Sequence, residues 1–430
     1  MISKEKWAEI IKDFQEKELP EMVERDIEIP TEIPLRRSIS IIGPRRAGKT
    51  YEMYQIIRKL LKKESKERLL YVNFERADIG VVDSTDLVNM LDMFYELYPQ
   101  NREGKVWLFL DEIQNVSGWE RFVRTALDEN IRVYLSGSSS KMLSREIATS
   151  MRGRNITYTV FPFSFGEYLR AKGIAAERLP SSTERSRITN ALRVYMEYGG
   201  YPEVVMYEKE REKTLTDIRE TAIYKDVIER AKIRNVRALR LLTDALINSQ
   251  EFSINKFYNF LKSGGTKVGK NVMYNYLEYL GDAFFVFLLR KFSYSYKHAE
   301  QSIPKVYFVD NGLLRISGIE DKGRLMENLV FVELMRRRLD PSYYKSETKE
   351  EVDFVIKDGR RVKQLIQVSY SVSDRITKER ETKSLIKAAK ELKCSNLCVI
   401  NWDYEAEEKI KGKRITFIPL WKWLVGQSGD

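Results

Sequence analysis

The stretch SISIIGPRRAGKTYEMYQII, residues 38–57, decides the fold. Its first five residues, SISII, form an apolar run with the length and β-branched content of a buried strand. The next eight satisfy G-x-x-x-x-G-K-[ST] with Gly43, Pro44, Arg45, Arg46, Ala47, Gly48, Lys49 and Thr50. TYEMYQIIRKLLKKE then carries apolar residues at helical spacing. Strand, glycine loop and helix in this order make a phosphate cradle. Gly43 and Gly48 let the backbone curl so that its N–H groups face phosphate oxygens, and the helix N-terminus adds positive potential. In that setting Lys49 contacts the β- and γ-phosphates and Thr50 holds Mg2+.

Working outward, LLYVNFE (69–75), KVWLFLDE (105–112) and RVYLSGS (132–138) read as further strands, with DLVNMLDMFYELY as a helix among them. Strands alternating with helices imply a parallel sheet covered on both faces. Ligands in such sheets bind at the carboxyl ends of the strands. Each strand here ends in polar residues, so one site is expected to collect residues 43–50, Asn73, Asp111 and Ser138. Asp111 would orient Mg2+ through water, and Glu112 would polarise the attacking water. Asn73 and Ser138 are candidates for positioning that water or sensing the γ-phosphate. Arg152 and Arg154, in MRGR, are candidates for neutralising charge on the transferring phosphoryl group, within the chain or on a neighbour.

The middle of the chain reads as mainly helical. SINKFYNFLKSG is a helix with Ser253 as N-cap, VGKNVMYNYLEYLGDA is a second, and FFVFLLRKFSYSY alternates like a hairpin strand. Helix, turn, helix and hairpin suggest a winged helix. Further on, KVYFVD is a strand, GRLMENLVFVELMRRRL an amphipathic helix, and EVDFVIKDGRRVKQLIQVSY a hairpin turning at Asp358 and Gly359. The expected domains are therefore residues 1–165, 166–300 and 301–430, with no internal repeat or low-complexity linker.

Composition narrows the partners. A 43% hydrophobic fraction argues against disorder, and no run approaches the roughly 18 apolar residues of a membrane span. The opening MISKEKWAEIIKDFQEKELP is charged and amphipathic rather than a secretion signal, so a cytoplasmic protein is expected. Cys394 and Cys398 are expected to be reduced and buried, and the lone His298 supports no metal or triad chemistry. Residues 1–160 balance 26 Lys and Arg against 26 Asp and Glu, whereas residues 161–430 carry 48 against 37. A polyanion is thus expected at the C-terminal part. Residues 253–300 concentrate seven Lys and Arg against three acids, with Lys267, Lys270 and Asn271 opening the second helix of the winged helix. Duplex DNA is the expected partner of this segment, while Tyr274, Leu277 and Leu280 could pack that helix against the rest of the protein.

The runs IPLRRSISIIGPRRAGKTYEMYQII, YVNFE, LFLDEIQNVSGWE, LSGSSSKMLS, MRGR, FPFSFGEYL and YGGYPEVV resemble a large family of archaeal and bacterial AAA-type ATPases. Their C-terminal domain, of unknown function, is similar to restriction-endonuclease-like folds. The resemblance implies a Mg-dependent ATP-binding core of AAA type, a winged-helix middle and a nuclease-like mixed α/β end; adenine specificity rests mainly on it. Such nuclease folds place an acid on a helix, an Asp on a strand, and acid-x-Lys on the next strand. Here Glu327 or Glu333 can be the helical acid and Asp353 the strand Asp, but the third element reads Gln367-Val368-Ser369. Without the second strand carboxylate and the lysine, nuclease activity is not expected, and the fold would serve as a docking module. An ATPase whose cycle changes its grip on DNA is one reading; a slow-hydrolysing switch or scaffold for a protein partner is another. Oligomeric state stays open.

Overall fold

The computed structural model describes residues 2–32, 36–138, 151, 153–175, 180–266, 268–348 and 350–426. Arg152 and Lys267 lie outside the described residues. The chain divides into two compact units, Met1–Phe161 and Pro162–Asp430.

In the first unit the apolar runs form strands β1 (Ser38–Ile42), β2 (Leu69–Asn73), β4 (Trp107–Asp111), β6 (Arg132–Gly137) and β7 (Asn155–Thr159), with the two-residue strands β3 (Val82–Asp83) and β5 (Val116–Ser117) paired apart. The main sheet runs β2-β4-β6-β1-β7, and every neighbouring pair in it is parallel. Period-two alternation sorts its side chains onto two faces. Leu70, Val72, Leu108, Leu110, Val133 and Leu135 join a core with the helices Lys4–Glu16, Ser84–Leu97 and Trp119–Asp128. Ile39, Ile41, Leu69, Trp107, Phe109 and Tyr134 pack with Met53, Ile56, Ile57 and Leu60 of the helix Lys49–Leu60. Burial on both faces explains why these strands read as near-continuous apolar runs. This is the parallel-sheet domain of a P-loop NTPase.

The second unit begins with helices, among them Phe165–Ala171, Ser182–Tyr198 and Arg211–Thr221. Three more follow, Val236–Ile247, Ile254–Ser263 and Lys270–Asp282, and Ser253 caps the middle one as the sequence implies. The strand expected after them is β8 (Val286–Leu289), and its antiparallel partner is β9 (Lys305–Phe308), the KVYFVD run. Beyond the helix Lys322–Arg336, strands β10 (Pro341–Lys345), β11 (Glu351–Asp358), β12 (Arg361–Ser369), β13 (Leu397–Asn401), β14 (Ala406–Ile410) and β15 (Lys413–Pro419) form a mixed sheet ordered β10-β11-β12-β13-β15-β14. The β11–β12 hairpin turns at Gly359 and Arg360, one residue beyond the expected Asp358 and Gly359, because Asp358 still pairs with Arg361 and Gly359 takes the left-handed φ of 58°. Both cysteines are free and buried. No helix among the described residues is long and apolar enough to cross a membrane.

The YGGYP run pins this unit together. Gly199 takes φ 73°, and a Cβ there would sit 1.7 Å from Asp310 Oδ1. Asp310 accepts the backbone N–H of Gly200 at 2.7 Å and of Gly312 at 2.8 Å. Burial pushes its carboxyl up to about 7, against the pull of those two N–H donors.

Candidate nucleotide site and the acid cluster

The glycine loop leaves the carboxyl end of β1 and enters the helix at Lys49. Its curl needs left-handed backbone at Arg46 (φ 62°) and Gly48 (φ 96°). Lys49 is buried, and its ammonium donates to the carbonyls of Gly43 (3.3 Å) and Pro44 (3.1 Å), with Glu112 Oε1 at 3.8 Å. Ala47 is fully buried, and Arg25, reaching under the loop, donates to its carbonyl at 2.9 Å and to that of Phe161 at 2.6 Å. Arg45 extends outward to Glu75 at 2.7 Å.

Asp111 is the hub. Its Oδ2 accepts from Thr50 Oγ1 (2.7 Å), Tyr71 OH (2.8 Å) and Asn73 Nδ2 (3.3 Å), and Ser136 Oγ donates to Oδ1. Glu112 follows in left-handed backbone, φ 54° and ψ 44°, and its N–H donates to Ser136 Oγ at 3.0 Å. Such a conformation costs a residue with a Cβ about 1–2 kcal/mol, so the bond to Ser136 holds the carboxylate in a position the chain would not otherwise choose. Burial, and then the charge of Asp111, drive the Tyr71 hydroxyl far above its ordinary pKa, which keeps it a donor.

The structure therefore brings Lys49, Thr50, Asn73, Asp111 and Glu112 together. Ser138, fully buried, lies one step beyond the pairing of Ile42 with Gly137, alongside Gly43. Asn73 is held on Asp111 and on the N–H of Glu75 at 2.7 Å. Arg154 is not brought to the site. It precedes β7, and the pairing of Ser38 with Asn155 puts it at the amino end of the sheet, where its guanidinium binds Asp128 at 2.6 Å. A five-residue strand spans about 17 Å, so Arg154 cannot reach the phosphate loop of its own chain. Sequence reading missed Ser136, Tyr71 and Arg25. The first two carry a period-two signal, each lying two residues before a candidate on the same strand face, Ser138 and Asn73. Arg25 carries none.

In the second unit Lys305 on β9 inserts its ammonium among three carboxylates: Glu351 (2.7 Å), Glu327 (2.9 Å) and Asp353 (3.0 Å). Burial opposes its charge, but Asp353, Tyr307, Glu327 and Glu351 outweigh that and hold its pKa well above that of an ordinary lysine. Tyr307 OH donates to Glu327 at 2.6 Å, and the Val368 N–H donates to Asp353 at 2.9 Å. Of the two candidate helical acids, Glu327 is the one beside Asp353; Glu333 is bound to Arg336 (3.1 Å) and Arg337 (2.9 Å). Gln367 donates to Glu381 at 2.7 Å, and Ser369 to the Ser371 carbonyl at 3.0 Å. Among the described residues no cluster of His, Cys, Asp and Glu has metal-binding geometry.

On residues 253–300, Lys256, Lys262, Lys270 and Lys297 are exposed. The buried stripe of the helix Lys270–Asp282 is Met273, Tyr276 and Leu280. Tyr274, expected in that stripe, is 45% exposed; the packed face is rotated away from it.

A family model described as an AAA domain matches residues 35–169. Two models described as domains of unknown function (DUF8612 and DUF4143) match residues 189–322 and 322–423. An uncharacterised protein of Methanocaldococcus jannaschii is 38% identical over 416 residues, covering 94% of this chain and 91% of that protein. An uncharacterised protein of Haemophilus influenzae is 28% identical over 393 residues, covering 89% and 93%. Among solved structures, Orc1 of Aeropyrum pernix in complex with DNA aligns over 78% of this chain and 93% of its own, at 14% identity and a TM-score of 0.31. Cdc6p of Pyrobaculum aerophilum aligns over 69% and 88%, at 14% identity and a TM-score of 0.28.

Proposed function

This chain belongs to the family of AAA-domain proteins that includes the Methanocaldococcus jannaschii relative, and from that premise we propose that it binds and hydrolyses ATP with Mg2+ and couples the cycle to its hold on duplex DNA. One observation carries the ATPase reading: Lys49 and Thr50 from the glycine loop meet Asp111, the last residue of β4, and Glu112, which follows it, at one end of the sheet. Lys49 exchanges its neutral carbonyl partners for phosphate oxygens, so that the acceptor as well as the donor is charged. Thr50 and Asp111, already within 2.7 Å of each other, are the residues that would hold Mg2+. That ion, when bound, neutralises charge on the phosphate oxygens. Glu112 polarises the attacking water, with Ser136 fixing both acids. Ser138 and Asn73 border the phosphate loop as sensors, and Arg154 could serve only a neighbouring copy in an oligomer.

The test separates binding from chemistry. Lys49→Ala should weaken ATP binding and abolish turnover. Glu112→Gln keeps the shape and loses the base, so it should bind ATP while hydrolysis falls by roughly 10² or more. Parent-like turnover in Glu112→Gln would remove the assigned role.

The slow-switch alternative draws on the same geometry. Thr50 and Lys49 are satisfied internally before nucleotide arrives, so loading must break bonds already made. Basal ATPase rates with and without duplex DNA distinguish the two readings.

For the second unit we read residues 236–308 as a winged helix that contacts DNA phosphates, supported by three helices followed by β8 and β9 and by the exposed lysines. We read the mixed sheet as a restriction-endonuclease-like fold without nuclease activity. Lys305 fills the space among its acids, and Gln367 and Ser369 are bound elsewhere. Mg2+-dependent cleavage of DNA or RNA that disappears in Asp353→Ala would overturn this.

A further inference from the structure

The connection between β8 and β9, residues 290–304, is anchored at its base and open at its crest. Phe292 is buried and donates its N–H to the Tyr343 carbonyl at 2.6 Å. Tyr343 OH donates to the Ile303 carbonyl at 2.7 Å, and the Lys291 N–H to Ser302 Oγ at 3.2 Å. Between these ties, Tyr294 is 72% exposed and Tyr296 is 81% exposed. Tyr294 stands edge-on to Phe292, with ring centroids 5.1 Å apart, so its direction is set by a buried neighbour. The exposed Lys297 follows directly, and Lys291 stands at the base. Tyr294 is thus braced in water above the base, and Tyr296 opens the short helix Tyr296–Gln301 with its ring in water. An aromatic face with a neighbouring cation matches a base with its phosphate: the ring stacks and the ammonium neutralises.

We propose that Tyr294 and Tyr296 stack on unpaired bases, so that the protein favours duplex DNA carrying a single-stranded tail over blunt duplex. This rests on the reading that residues 253–300 hold duplex phosphates and adds a second subsite to it. The cationic helix residues Lys256, Lys262 and Lys270 would hold the duplex while the crest takes the single-stranded tail.

The test is fluorescence anisotropy of the full chain with labelled blunt duplex, tailed duplex and single strand at fixed salt. The parent is expected to bind tailed duplex at least tenfold more tightly than blunt duplex, since stacking contributes about 1–3 kcal/mol per base. Tyr294→Ala with Tyr296→Ala should erase that preference and leave the blunt-duplex affinity and the salt slope as they were. Phenylalanine at both positions should restore the preference and leucine should not, which separates stacking from simple apolar contact. Equal affinity for blunt and tailed duplex, or restoration by leucine, would overturn the proposal while leaving duplex binding intact. Binding to none of the three would remove the DNA reading and this one together.

Discussion

Replacing Lys305 with methionine tests whether the acid cluster is an ion-pair centre closed by its own lysine. Methionine keeps the length and removes the charge. Lys305 is 6% exposed, and its ammonium lies within 3.0 Å of Glu327, Glu351 and Asp353. Breaking a buried pair from one side costs about 3–5 kcal/mol because the remaining charges are uncompensated. Partial compensation survives: Lys345 stays 3.3 Å from Glu351, Tyr307 still donates to Glu327, and Val368 to Asp353. The loss at pH 8 should therefore be about 3 kcal/mol, the lower end of that range. Its pH dependence has a definite sign. Burial, then the neighbouring Glu327, already raise Asp353 to about 7 against the pull of Lys305, and removing the lysine raises it further. A carboxyl whose folded pKa lies above its unfolded value contributes stability that is present at low pH and lost as pH rises through the folded pKa. The variant should thus lose less at pH 5, where Asp353 is protonated and only the contacts to Glu327 and Glu351 are missed, and fall away further above pH 7. Calorimetry suits the measurement, since two units can unfold as separate transitions. A loss of equal size at pH 5 and pH 8 would indicate packing damage, and no loss at pH 8 would refute the ion-pair argument.

Three further outcomes are expected. Gly199→Ala places a Cβ where Asp310 Oδ1 now sits, 1.7 Å away, at a backbone φ of 73°; overpacking of this kind costs about 1–3 kcal/mol, so a lowered melting transition is expected and an unchanged one would dissolve the pin. Tyr71→Phe removes one of the donors to Asp111 Oδ2 and should raise the Mg2+ concentration needed for half-maximal ATP hydrolysis several-fold, with melting temperature little changed; an identical Mg2+ titration would dismiss Tyr71 from the site. On blunt duplex, replacing Lys262 and Lys270 with alanine should shallow the plot of log affinity against log salt by roughly two units, about 0.9 per lost phosphate contact, and an unchanged slope would favour a protein partner instead.

What the sequence disclosed follows the range of the interactions involved. Gly43 to Thr50, Asp111 and Glu112 were readable because each role is fixed by a few adjacent residues: a strand, a loop and the residue that follows. Ser136 and Tyr71 were readable in principle, being polar residues two places before Ser138 and Asn73 on the same strand face, but attention to strand ends alone passes over them. The same geometry explains Arg154. Residues that follow the strands of a parallel sheet gather at the ligand end, and Arg154 precedes its strand, so the sheet carries it to the opposite end. Lys305 was out of reach. Its partners lie 22, 46 and 48 positions along the chain, and nothing near KVYFVD marks that lysine as the centre of a buried cluster. Tyr274 was misplaced because aromatic residues occupy several faces of VMYNYLEYL, and periodicity alone cannot choose among them.

Strand order does the rest of the positioning. Because β6 lies between β1 and β4, the strand that feeds the phosphate loop and the strand that ends in Asp111 and Glu112 stand two inter-strand spacings apart, about 9.5 Å. Side chains at the ends of strands so separated would face each other across open space. The glycine loop closes that distance from one side by curling through Arg46 and Gly48 in left-handed backbone, which brings Thr50 to Asp111 at 2.7 Å. Glu112 closes it from the other by its own left-handed turn, which brings its carboxylate to 3.8 Å from Lys49. The intervening strand supplies Ser136, whose side chain bonds both acids' segments at once. Inserting a strand thus makes room for phosphate oxygens between cation and base, and the two left-handed turns set how wide that room is.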